Sequence, residues 1–169
     1  NGDKALLKYE KRFNKNKTIA PSSKQINTSI KSLNQKVKKA IDVAYNRIYK
    51  FHSLQKFKNI SYTDNLNNKL EYKYLPIDSV ALYVPGSSAS YPSSVLMNTI
   101  PAIIAGVKRI VMINPGYKGK QSPAVLYASR KCKIKEIYSI GGPSAIAAVT
   151  YGTKKIKRVN KIVGPGNSY

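Results

Sequence analysis

The sequence is poor in the side chains from which most active sites are assembled: 169 residues hold one histidine, one cysteine and seven carboxylates, against thirty lysines and arginines. The lone Cys132 has no partner for an intramolecular disulfide. That excludes a disulfide scaffold and fits a reducing compartment, so the expected location is the cytoplasm. No apolar run reaches the roughly 18 to 20 residues needed to cross a bilayer, and no charged-then-apolar leader opens the chain, so no membrane partner is expected. Two general phosphate-binding signatures are missing as well. Neither Gly-x-Gly-x-x-Gly after a strand nor Gly-x-x-x-x-Gly-Lys-Ser/Thr occurs. What remains is ordinary for a globular protein, 42% hydrophobic and 22% charged, which excludes wholesale disorder and lets the chain bury a core. The start at Asn1 rather than Met, and the end at Tyr169 where a helix is due, read as two cut ends.

The formal charge of +23 invites a basic nucleic-acid-binding module as one reading. Its distribution favours another. Basic residues run from Lys4 to Lys73 and recur from Lys118 to Arg158, interspersed with Asn, Ile and Tyr, and form no single stripe. Such a bias is what an AT-rich coding sequence gives, and solvated positions accept it at little cost. No specific nucleic-acid partner is therefore expected.

Hydrophobic spacing organises the chain into two regions. Gly2 to Phe13 reads as a short amphipathic helix capped by Asp3, with Leu6, Tyr9 and Phe13 on one face. Ser22 and Gln25 form a capping-box pattern ahead of a long helical repeat through Ile26, Ile30, Leu33, Val37, Ile41, Ala44, Ile48 and Phe51, with a break expected near Ser32 to Asn34. Turn signals at Asp64-Asn65 and Asn67-Asn68, followed by alternating Leu70, Tyr72 and Tyr74, predict a hairpin. From Ser79 the pattern changes. Short apolar runs at Val80 to Val84, Arg109 to Ile113, Glu136 to Ile140 and Lys161 to Val163 alternate with helical stretches near Ser93 to Gly106, Ser122 to Cys132 and Pro143 to Tyr151. That alternation predicts an α/β fold, a Rossmann-like parallel sheet with flanking helices, preceded by an amino-terminal helical segment and a short hairpin. We therefore divide the chain into 1–78, helices plus hairpin and part of a first domain, and 79–169, an incomplete nucleotide-binding half.

Each strand ends in a loop bearing glycine or proline: Pro85-Gly86-Ser87-Ser88, Asn114-Pro115-Gly116, Gly141-Gly142-Pro143 and Gly164-Pro165-Gly166-Asn167. In open α/β sheets the loops at the carboxyl ends of the strands form the ligand crevice. Four such loops in register point to binding, although any one glycine can serve only a tight turn. Catalytic groups are scarce there. Asp78 and Glu136 fall at the opposite edge, His52 lies toward the end of the long helix, and Cys132 is due at a helix C-terminus, where the dipole disfavours a thiolate. No set of three or four metal ligands can be assembled in this region. The residues read as a binding region without catalytic or metal positions.

Three of these loops carry a resemblance. Val80-Ala81-Leu82-Tyr83-Val84-Pro85-Gly86-Ser87-Ser88-Ala89 resembles the Gly-Leu-Tyr-Ile/Val-Pro-Gly-Gly-x-Ala segment of the histidinol dehydrogenase family, continued by Ser94-Val95-Leu96-Met97. Ile140 to Ala148 is similar to its Gly-Gly-Ala-Gln-Ala-Ile-Ala-Ala run, and Lys161 to Asn167 to its Asp-Lys-Ile-x-Gly-Pro-Gly-Asn motif. Gly2 to Leu6 and Phe51-His52 extend the likeness over nearly the whole chain.

The resemblance implies a cytosolic, zinc-dependent homodimer that oxidises L-histidinol to L-histidine through the aldehyde. Two NAD are used in turn, in the last step of histidine biosynthesis. It also implies NAD contacts at Tyr83, Ser144 and Asn167, and zinc and catalytic residues beyond the end of this chain, so that the segment alone is inert. Tyr83 has an alternative role as a core aromatic with its hydroxyl at the sheet edge, and Asn167 one as a turn residue or cap. Three departures weaken the expected NAD site: Ser144 stands where the family has glutamine, Ser87 where it has glycine, and Asn160 where it has aspartate. A different NAD-linked enzyme sharing the sheet is the remaining alternative.

Overall fold

A computed structural model describes residues 2–86 and 88–166. Three helices come first: α1 (Gly2–Phe13), α2 (Ser23–Lys31) and α3 (Gln35–Ser53). The box at Ser22 and Gln25 forms in both directions, with the Gln25 amide donating to Ser22 Oγ at 3.2 Å and the Ser22 amide donating to Gln25 Oε1 at 2.7 Å. The expected break falls between α2 and α3, where Asn34 Oδ1 accepts from the Lys36 amide and starts the second helix.

The hairpin pairs β1 (Ile60–Thr63) with β2 (Lys69–Tyr72) in antiparallel register, Ile60 opposite Tyr72. Asp64 organises its turn by accepting from the Leu66 and Asn68 amides, both at 2.8 Å. Every residue of the two strands is exposed. With Leu54 and Phe57 just after α3, and Leu66 and Leu75, the hairpin region leaves a broad apolar surface uncovered.

The second region contains β3 (Ser79–Tyr83), α4 (Pro92–Ala105), β4 (Arg109–Ile113), α5 (Pro123–Lys131), β5 (Glu136–Tyr138), α6 (Gly142–Tyr151) and β6 (Lys161–Val163). Its four strands are parallel, in the order β5-β4-β3-β6. The chain moves outward from β3 through β4 to β5, then returns to the other side of β3. A crevice opens at such a reversal, because the loops on its two sides diverge.

Side-chain alternation assigns the two faces. β4 sends Val111 and Ile113 into a core shared with α6, Leu6 of α1 and Ile19, while Met112 joins a second core with Ile41 of α3 and residues of α4 and α5. Leu82, Val111, Met112 and Ile113 have no exposed surface, and each such side chain stabilises the fold by roughly 1.5–3 kcal/mol. The helices of the first region thus share cores with the sheet.

Two details of α1 differ from expectation. Asp3 lies within the first turn rather than preceding it. The buried face is Leu6 with Glu10, while Tyr9 and Phe13, stacked on each other, point to solvent. A four-residue step on a helix puts Glu10 directly over Leu6, and the polar loop ends beyond it supply the donors that let a carboxylate replace an apolar side chain there.

Candidate functional site

The carboxyl edge of the sheet is built from the ends of β3, β4 and β5 and the start of α6, and its parts are held by short polar bonds. Glu10, fully buried, reaches this edge from α1. Its Oε1 accepts from the Gly141 amide at 2.9 Å, and its Oε2 accepts from the side-chain amides of Asn14 and Asn16, both at 2.9 Å. Asn16 also donates to the carbonyls of Pro115 at 2.9 Å and Ser139 at 2.8 Å, so one side chain ties α1 to the loops after β4 and β5. A buried carboxylate without a cation survives by accepting several hydrogen bonds, and Glu10 accepts three.

Tyr83 ends β3 half-buried, packed against the core on the α6 face. Its hydroxyl oxygen accepts from the Gly142 amide at 3.3 Å, so the end of β3 meets the start of α6. On the other side of β3, Gly164 follows β6 with φ 135°, and a Cβ there would lie 2.3 Å from the Tyr83 carbonyl oxygen. Only glycine fits this approach. Tyr83, Gly141 and Gly164 are therefore brought to one edge. Ser144, in the first turn of α6, donates its hydroxyl to the Gly141 carbonyl at 3.1 Å. Asn167 and Ser87 lie outside the described residues. Asn160, before β6, accepts from the Ser79 hydroxyl at 2.6 Å and so belongs to the amino edge.

A second set of side chains lies between the β3–α4 and β4–α5 loops. The loops touch: a Cβ on Gly86 would sit 2.1 Å from the Gly116 carbonyl oxygen, which keeps that position free of side chain. Asn114, 2% exposed, donates to the carbonyls of Val84 at 2.9 Å and Pro85 at 3.2 Å, and Gln121 donates to the Asn114 carbonyl at 3.0 Å. Sequence reasoning missed Glu10, Asn16, Asn114 and Gln121. The signal for Glu10 was its position four residues after Leu6 on one helical face, whereas the amides carried no signal short of the fold itself.

The other titratable groups serve structure. Glu136 forms a fork with Arg109 across the amino edge, at 2.7 and 2.8 Å, and these bonds hold its carboxyl below the ordinary value. Asp42 of α3 is held low by Lys131 and Tyr127 of α5. Burial pushes the Cys132 thiol up to about 12, so it is no nucleophile. His52 pairs with Gln55 after α3. No group of three His, Cys, Asp or Glu able to hold a metal ion occurs among the described residues. No helix among them is long and apolar enough to cross a membrane.

A parallel sheet covered on both faces, with its glycine loops gathered at the carboxyl edge beside a chain reversal, defines a Rossmann-like α/β protein. The sequence model of histidinol dehydrogenase matches residues 1–169. The chain is 83% identical, over its full length, to histidinol dehydrogenase of Pelagibacter ubique, and 47% identical over 99% of its length to that of Brucella abortus. It spans 40% of the length of each. The crystal structure of histidinol dehydrogenase from Elizabethkingia anophelis superposes with a TM-score of 0.93 at 39% identity, covering 99% of this chain and 39% of that one. The chain belongs to the histidinol dehydrogenase family. That membership favours neither a nucleic-acid-binding module nor a different enzyme on the same sheet.

Proposed function

We propose that the complete protein oxidises L-histidinol to L-histidine through the aldehyde, with two NAD in turn, as the last step of histidine biosynthesis. It acts as a cytoplasmic homodimer whose zinc ligands and catalytic residues lie outside this chain. The segment 79–169 is an incomplete nucleotide-binding half that supplies part of the NAD site, and 1–78, helices plus hairpin, is part of a first domain. Tyr83, Ser144 and Asn167 are its cofactor contacts. The observation that carries this reading is the junction of three loops at Tyr83, through the Gly142 amide on one side and the Gly164 approach on the other. A dinucleotide laid across that edge meets a ring, backbone amides and, among the described residues, no exposed carboxylate, which suits its pyrophosphate. Ser144 already donates to Gly141, so it offers an acceptor rather than the two-pronged amide of the resembling motif.

Two measurements test the proposal. Tyr83→Ala in the complete enzyme weakens NAD binding about tenfold, as loss of a ring contact and a hydrogen bond requires; unchanged affinity in calorimetric titration rejects the assignment. The isolated segment with histidinol, NAD and zinc shows no turnover above background, and measurable turnover contradicts the placement of the catalytic residues.

A further inference from the structure

Two adjacent glycines start α6, and the helix has no side-chain cap of its own. Gly142 takes the left-handed conformation, φ 64°, with open space where a Cβ would be. Such a residue has many conformations to choose from, so the direction in which α6 begins is set by contacts from other elements. Two polar contacts supply it. The Gly142 amide donates to the Tyr83 hydroxyl of β3 at 3.3 Å, and the Gly141 amide donates to Glu10 Oε1 of α1 at 2.9 Å. The first is long and exposed, while the second is shorter, buried and made to a carboxylate, so the second dominates. Gly141 also closes on Pro115: a Cβ there would lie 2.7 Å from the proline ring. The Pro115 carbonyl is held in turn by Asn16, which donates to Glu10 as well. Glu10 therefore fixes Gly141 from two sides, directly through its amide and indirectly through Asn16 and Pro115.

We infer that Glu10 is a positioning residue for cofactor binding: by holding the Gly141 amide it sets the start of α6, and with it the Gly142 amide that meets the Tyr83 hydroxyl. This inference rests on the NAD reading above. Glu10 has no exposed surface, so it offers the cofactor no contact of its own and acts through Gly141. A carboxylate with a purely structural role lowers stability and nothing else. A positioning carboxylate lowers NAD affinity by more than an equal loss of stability elsewhere in the molecule does.

Variants of the complete enzyme separate the two roles. Glu10→Leu removes the acceptor for Gly141 and raises the dissociation constant and KM for NAD about tenfold, while kcat at saturating NAD changes less than about twofold. Glu10→Gln rescues most of this loss. Its oxygen faces Gly141, its amide faces an Asn14 side chain turned over to accept, and Asn16 keeps its two carbonyls, so NAD binding weakens at most about twofold. Ile100→Ala, a comparable loss of stability in the core with α3 and α5, leaves NAD affinity alone. Should Glu10→Leu not fold, Glu10→Asp takes its place: it keeps the charge but stands one methylene short of Gly141, and it weakens NAD about fivefold. Unchanged affinity in Glu10→Leu, or in Glu10→Asp where that is the folded variant, overturns the inference. So does a loss in Glu10→Gln or in Ile100→Ala as large as the one it is compared with. If Tyr83→Ala weakens NAD while the Glu10 variants do not, only the positioning role falls; if Tyr83→Ala also has no effect, the NAD site itself falls.

Discussion

Two carboxylates brace the sheet at its opposite edges, Glu136 between two strands and Glu10 between α1 and the loop after β5, and they are stabilised in opposite ways. Glu136, at the amino edge, is about one-third exposed and meets the guanidinium of Arg109. Glu10, near the carboxyl edge, has no exposed surface and among the described residues is met only by neutral N–H groups. An ion pair at a wet edge is a weak clamp because water and salt compete for both partners. A buried carboxylate is a strong one, because removing it leaves the buried Gly141 amide without its acceptor, even though Asn16 keeps two carbonyls. The stronger clamp stands at the edge that carries the glycine loops, and the weaker one at the edge that has only strand ends to join.

The comparison breaks first at Glu10. Glu10→Leu keeps the size of the side chain but leaves the Gly141 amide and the Asn14 side chain without an acceptor, at a cost of about 4 kcal/mol in unfolding free energy. Urea denaturation measures it. A cost under about 1 kcal/mol would mean that the network is incidental and the two edges are equivalent. An apolar yardstick lies between the edges in Ile100 of α4, fully buried in the core with α3 and α5. Ile100→Ala costs about 3 kcal/mol through lost contacts and the cavity left behind, and it leaves NAD affinity unchanged because the residue joins no crevice loop. A parallel loss of affinity would show that the crevice responds to general loosening, and Glu10 would then lose its special standing.

The same contrast explains how much was readable in advance. The strands and helices of the second region were legible because their apolar runs alternate with turn residues, and parallel pairing follows from that alternation, whereas the strand order does not. Tyr83 and the glycine loops were legible through motif order, and the fold brings Tyr83, Gly141 and Gly164 together. Glu10 was hidden by its surroundings. In a helix bearing Lys4, Lys8, Lys11 and Arg12 a glutamate reads as one more solvated charge, and Tyr9 and Phe13 look like better core residues. What decided its position was the set of donors at Asn16 and Gly141, 6 and 131 residues away along the chain, which local periodicity does not register. Asn114 and Gln121 were hidden for the same reason, since an amide declares its role only through its partners.

The smallest effect belongs to the amino edge and depends on pH. Arg109, by its hydrogen bonds, holds the Glu136 carboxyl below its ordinary value of 4.5, so the folded state prefers the charged form more strongly than the unfolded chain does. The stability from this preference is fully present above 4.5 and is lost as pH falls through the depressed value. Because both groups are partly solvated, the contribution is about 1 kcal/mol at neutral pH and shrinks with added salt. In Glu136→Gln the fork is gone while Arg109 keeps its bonds to the carbonyls of Lys157 and Arg158, so the loss is confined to the carboxylate. Wild type and variant, unfolded in urea at neutral pH and in acid, should differ by that amount in the first condition and converge in the second. A gap of several kcal/mol that persists in molar salt would make the amino edge as strong a clamp as Glu10 and remove the asymmetry between the two edges.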